Sequence, residues 1–87
     1  MANVSKVVAY NLRKIRVLRN ISQENLAVDA QVDRTYVSRL ERGLENPTVG
    51  VLERLASALE VNITDFFAVS DIAALPKPLP SGRRKAK

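Results

Sequence analysis

The stretch Ser22–Gly43, SQENLAVDAQVDRTYVSRLERG, decides how this chain reads. Ser22 suits a helix N-cap, where a hydroxyl oxygen accepts a first-turn N–H. Glu24 follows in the first turn, where the positive end of the helix dipole favours a carboxylate. Leu26, Ala27 and Ala30 then supply an apolar face at helical spacing. Asp33 suits a second N-cap, Val37 and Leu40 form an inward pair, and Gly43 supplies a stop. The pattern predicts two short helices joined by a tight turn, the second over residues 34–42. With Val37 and Leu40 turned inward, Arg34, Thr35, Ser38, Arg39 and Arg42 share the outward face, and Asp33 stands at its start. Such a face suits the major groove of DNA. Arginine pairs bidentately with guanine, and threonine offers a hydroxyl or a methyl group to the base edges. Exposed helix faces are charged in most proteins, so this face acquires meaning only with its flanks.

Working outward, Val4, Val7, Val8, Leu12 and Ile15 recur at helical spacing and predict an amphipathic helix over residues 3–19. Asn20 tolerates the left-handed conformation that ends helices. Beyond Gly43 comes the loop LENP. Thr48 is then the expected cap of a fourth helix, 49–59, whose inner face is Val51, Leu52, Leu55, Ala56 and Leu59. Thr64 is the expected cap of a fifth, short helix ending in Phe66-Phe67. No strand-like alternation occurs, so the fold class is all-α. After Ser70 the character changes. Three of the four prolines (Pro76, Pro78, Pro80) precede the basic run Arg83-Arg84-Lys85. Proline blocks helix and ladder hydrogen bonding, and little remains to bury. The organisation expected is one domain, 1–69, and a flexible basic proline-containing tail, 70–87.

The net charge of +5 is unevenly distributed. Residues 1–42 carry eight Lys/Arg against four Asp/Glu. Residues 43–69 carry one against four, and residues 70–87 carry five against one. The first and third blocks are suited to face a polyanion. There is no cysteine for a disulfide or thiolate metal site, and no histidine, the commonest metal ligand and general base. No apolar run reaches the roughly 18 residues of a membrane span. The N-terminus lacks the apolar core of a signal peptide, so a cytoplasmic location is expected. No nucleophile, paired-carboxylate or phosphate-cradling motif is present. Neither enzyme activity nor a cofactor, metal or small-molecule ligand is expected.

Three stretches, LRKIRVLRNISQENLA, VDRTYVSRLERG and NPTVGVLERLASALEVNITDFF, together resemble the Cro/repressor helix-turn-helix family, also called xenobiotic-response-element-like. The resemblance spans residues 9–67. It implies a five-helix, lambda-repressor-like bundle whose third helix enters the major groove of double-stranded DNA. It also implies a transcriptional regulator, in many members a homodimer on a palindromic operator. Carried over by position, it places Asp33, Arg34, Thr35, Ser38 and Arg39 as base readers. Gln23, Tyr36, Arg42 and Thr48 fall at phosphate-contacting positions, and Arg16 with Glu41 at a structural ion pair between the first and third helices. Two residues depart from the family pattern. Gln31 and Glu60 stand where glycine is usual, so these turns are either strained or reshaped. The apolar residues Val61, Ile63, Phe66 and Phe67 are the expected dimer contact, in part shared with the core. The alternative reading is an interaction module of the same fold, such as an antitoxin. The controller proteins of restriction–modification systems are close relatives of similar size.

Overall fold

The computed structural model describes residues 3–69. Four α-helices run in the order α1 (Val4–Leu18), α2 (Gln23–Ala30), α3 (Arg34–Glu41) and α4 (Val49–Leu59). A single 3-10 segment, Ile63–Phe67, follows. Among the described residues the architecture is all-helical, but the fifth expected α-helix is this 3-10 turn. The reading of residues 70–87 as a tail lies outside the described residues.

Three of the four α-helices begin where a side chain replaces the missing backbone partner. Asn3 accepts the N–H of Lys6 at 3.3 Å, Ser22 that of Asn25 at 3.0 Å and Thr48 that of Val51 at 3.1 Å. Asp33 occupies the N-cap position of α3 with extended backbone, yet its carboxylate makes no capping bond. The 3-10 segment corrects an expectation. Its N-cap is Asn62, not Thr64, and Asp65 reaches back to accept the Asn62 N–H at 3.1 Å. A carboxylate three residues after the cap closes the reciprocal box that Thr64 has no partner to form.

All four α-helices end in the same way. A residue one or two places past the helix adopts the left-handed conformation, and two backbone bonds close the turn there. After α2, Gln31 N–H reaches Val28 O (3.2 Å) and Val32 N–H reaches Ala27 O (3.0 Å). The same paired closure follows α1 at Asn20–Ile21, α3 at Gly43–Leu44 and α4 at Glu60–Val61. This is the Schellman motif, and it puts an apolar residue just beyond each helix. Ile21, Val32 and Val61 pack against the core, whereas Leu44 stays half exposed. Glycine occupies only one of the four left-handed positions, with φ 75° at Gly43 against 60°, 61° and 59° at Asn20, Gln31 and Glu60. The turns at Gln31 and Glu60 therefore keep the family geometry and carry the strain of a Cβ at positive φ.

The core joins the inner stripes of all elements. Leu12, Leu26, Val37, Leu40, Leu55, Leu59 and Phe66 are fully buried. α1 packs on α3 and on the 3-10 segment, and α2 packs on α3 and α4. Phe66 is wholly core, which removes it from the expected dimer contact. Val61 and Ile63 are half-buried against the core, while Phe67 is exposed. Two polar ties fix the joints. Asn11, buried on α1, directs its amide nitrogen at the carbonyls of Val7 (3.1 Å), Phe66 (3.0 Å) and Ala68 (2.7 Å). Arg54 on α4 donates from Nε to Ala30 O at 3.0 Å, placing a cation at the negative end of α2.

Candidate nucleic-acid interface

α3 is positioned by what it buries. Val37 and Leu40 are fully buried, which turns Arg34, Thr35 and Arg39 into solvent with Ser38 partly covered beside them. The left-handed Gln31 swings the chain from α2 into α3. This brings the start of α2 beside the start of α3, and Gln23, Arg34, Thr35 and Ser38 together line a shallow concavity of about 180 Å³. The side chains of Arg34 and Arg42 make no hydrogen bond or ion pair within the described residues. Asp33, exposed and not engaged in capping, keeps its acceptor oxygens at the edge of the same face.

Behind the face lies a buried ion pair. Arg16 Nε donates to Glu41 Oε2 at 2.6 Å and Nη2 to Oε1 at 3.0 Å. The side chains are only 13% and 4% exposed. The remaining Arg16 nitrogen, Nη1, donates to Ile21 O at 2.8 Å, the residue that closes α1. Glu41 Oε1 also accepts from Gln23 Nε2 at 3.1 Å. Gln23 is therefore held by one amide hydrogen, and its second N–H and its carbonyl oxygen keep their capacity for another partner. A single carboxylate thus ties α1, the start of α2 and the end of α3 into one frame.

The other expected residues are placed as follows. Arg39 lies on the outer face but is engaged. Its Nε donates to Glu45 Oε2 at 2.7 Å, and Nη2 lies 3.4 Å from Leu44 O. Thr48 uses its oxygen as the α4 cap and keeps its hydroxyl hydrogen to donate. Tyr36 is half-buried with its ring against the core. Burial pushes its phenol above the ordinary value of 10.0, the Glu45 carboxylate adds to this, and Arg54 opposes it. The sequence does not mark Glu45 or Arg54 for these contacts. Asn11 carries a legible signal, a polar residue four after Val7 inside an apolar stripe. Glu45 does not, because it meets Arg39 only through the chain reversal at Gly43. Among the described residues no helix is long and apolar enough to cross a membrane, and no His/Cys/Asp/Glu cluster could hold a metal ion.

A short helix with an outward arginine-rich face, set against the N-terminus of a second helix by a tight turn, defines the helix-turn-helix class of DNA-binding domains. A family model described as helix-turn-helix matches residues 12–66. A hypothetical transcription factor of Neisseria meningitidis is 47% identical over 55 residues, covering 63% of this chain and 52% of that protein. This chain thus spans about half of that relative's length. The control protein C.BamHI of Bacillus amyloliquefaciens is 34% identical over 71 residues, 80% of this chain and 88% of that one. Among solved structures, the restriction–modification controller protein C.AhdI of Aeromonas hydrophila superposes with a TM-score of 0.71 at 33% identity. The superposition covers 72% of this chain and 96% of that one. The chain belongs to the Cro/repressor-type helix-turn-helix family of transcriptional regulators.

Proposed function

We propose that α3 enters the major groove of an operator as the reading element of a homodimer. Asp33, Arg34, Thr35, Ser38 and Arg39 address the bases, while Gln23, Tyr36, Arg42 and Thr48 fix the register on the phosphates. The observation that carries this reading is the concavity in which Gln23, at the start of one helix, stands beside Arg34, Thr35 and Ser38 on the next. One concave edge thus presents a phosphate-type donor and base-type donors together. A helix N-terminus adds its own attraction for a phosphate there. The Arg16–Glu41–Gln23 network sets the angle between the two parts.

One α3 spans too few base pairs to select a site in a genome, and a two-fold dimer doubles the site. Phe67, exposed beyond the core, is a contact candidate on the acidic half of the molecule. Selection from a random DNA pool tests the reading. The expected product is a palindrome with half-site centres about 10–10.5 base pairs apart. Recovery of fragments without a shared motif would reject base reading, and a single half-site bound as tightly as the palindrome would reject the dimer. A narrower role is supported by the likeness to control proteins over nearly their whole length, namely control of a restriction–modification operon. A transcriptional reporter carrying the upstream region of an adjacent methylase or nuclease gene tests it, with altered expression expected when this chain is supplied.

A further inference from the structure

We infer that Glu45 is a specificity-determining residue, acting by holding Arg39 so that only the far end of its guanidinium faces the bases. The inference rests on the reading of α3 as the base-contacting helix. Arginine has two edges able to engage guanine bidentately, one formed by Nε with an Nη and the other by the two Nη atoms. The Glu45 carboxylate occupies Nε at 2.7 Å. This removes the first edge and leaves the terminal one, with the Nη2 contact to Leu44 O at 3.4 Å too long to compete strongly. The holder is itself fixed. Leu44 N–H donates to Arg39 O at 3.0 Å, so the residue carrying the guanidinium also anchors the backbone that presents Glu45. The pair is half in water, at 45% and 28% side-chain exposure, so it constrains a direction more than it stabilises the fold. An arginine on a solvated helix otherwise samples many rotamers, and ordering them on binding costs affinity. Preorganisation by Glu45 removes part of that cost for the one base that matches. The carboxylate simultaneously disfavours a phosphate at the same place.

The test is the base-preference profile of wild type, Glu45→Ala, Glu45→Gln and the Arg39→Ala/Glu45→Ala double variant, measured on randomised operators. Glu45→Ala is expected to lose about tenfold of discrimination at one base position per half-site, with thermal unfolding almost unchanged. Glu45→Gln, which keeps an oxygen able to accept from Nε, is expected to retain most of that discrimination. In the Arg39→Ala background the loss of Glu45 should leave the preference profile unmoved, because Glu45 acts through Arg39. A Glu45→Ala profile identical to wild type, or uniformly tighter binding to every sequence, would overturn the inference while leaving base reading by α3 intact. A wild-type chain that prefers no sequence would overturn the reading of α3, and this inference with it.

Discussion

Two arginine–glutamate pairs lie on opposite sides of the same short helix, and they do different work. Arg16 and Glu41 meet through two hydrogen bonds beneath α3, nearly shut off from water. Arg39 and Glu45 meet through one, on the outer side, about half solvated. The chemistry is the same and the environment is not. In the buried pair every close partner is a protein group, so losing one ion strands the other in a poorly solvating medium. In the outer pair water replaces whichever partner is removed. The first pair is therefore a structural joint and the second a steering contact. On the proposed reading of α3, identical residue types at two depths separate holding the outward face from aiming it.

The comparison breaks most visibly at Glu41. Glu41→Ala leaves the Arg16 guanidinium buried and Gln23 without its anchor, and is expected to destabilise by about 3–5 kcal/mol. Thermal or urea unfolding measures this, and an unchanged midpoint would put the inner pair in the same category as the outer one. Replacing both partners by apolar residues, Arg16→Met with Glu41→Leu, is expected to recover most of the loss, since no unpaired charge remains. Arg39→Ala should show the reverse profile. On the best operator it is expected to cost about 1–3 kcal/mol and to relax one base position per half-site, with little change in unfolding. Binding weakened equally on all sequences would reduce Arg39 to a phosphate contact. The strain shared by the helix ends gives a smaller effect. Gln31→Gly removes a Cβ at positive φ and is expected to stabilise by up to about 1 kcal/mol, after the greater entropy of glycine in the unfolded chain is subtracted. A lowered unfolding midpoint would mean that the Gln31 side chain contributes a contact worth more than the strain it brings. The smallest effect sharpens the contrast. Glu45→Ala should cost at most about 1 kcal/mol of stability, and that loss should disappear towards 1 M salt, where screening shortens to about 3 Å. The Glu41→Ala deficit should persist there, and equal salt sensitivity in the two variants would remove the distinction.

Much of the fold is legible because it is written in local signals. The apolar spacing of α1 and α4 and the caps at Ser22 and Thr48 all lie within a few residues of what they specify. α1 and α3 each end one residue earlier than the spacing suggests, at Leu18 and Glu41, as befits helix ends whose last turn closes into a reversal. The fifth element is less legible because Asn62 and Thr64 are both good caps two residues apart, and only the reach of Asp65 decides between them. Phe66 and Phe67 look alike in sequence, yet one fills the core and the other faces water. That distinction requires knowing where α1 lies. On the candidate site the outward set Arg34, Thr35, Ser38 and Arg39 follows from two inward residues on one helix. The restraint of Arg39 by Glu45, six residues on, does not follow, because it depends on how far the chain has turned at Gly43.

The four paired closures behind the helices have a consequence for the order in which the molecule can assemble. Each spans six residues, from Arg16 to Ile21, Ala27 to Val32, Arg39 to Leu44 and Ala56 to Val61. Rings this small form without the entropic cost of bringing distant segments together. The direction in which every helix hands over to the next is thus encoded where it occurs, before any core exists. The clasp of Asn11 on Phe66 and Ala68 instead closes across 55 and 57 residues. Chains dominated by near-neighbour contacts fold fast, and long closures set the delay. The helices and their turns are therefore expected to form ahead of the docking of residues 66–68 on α1.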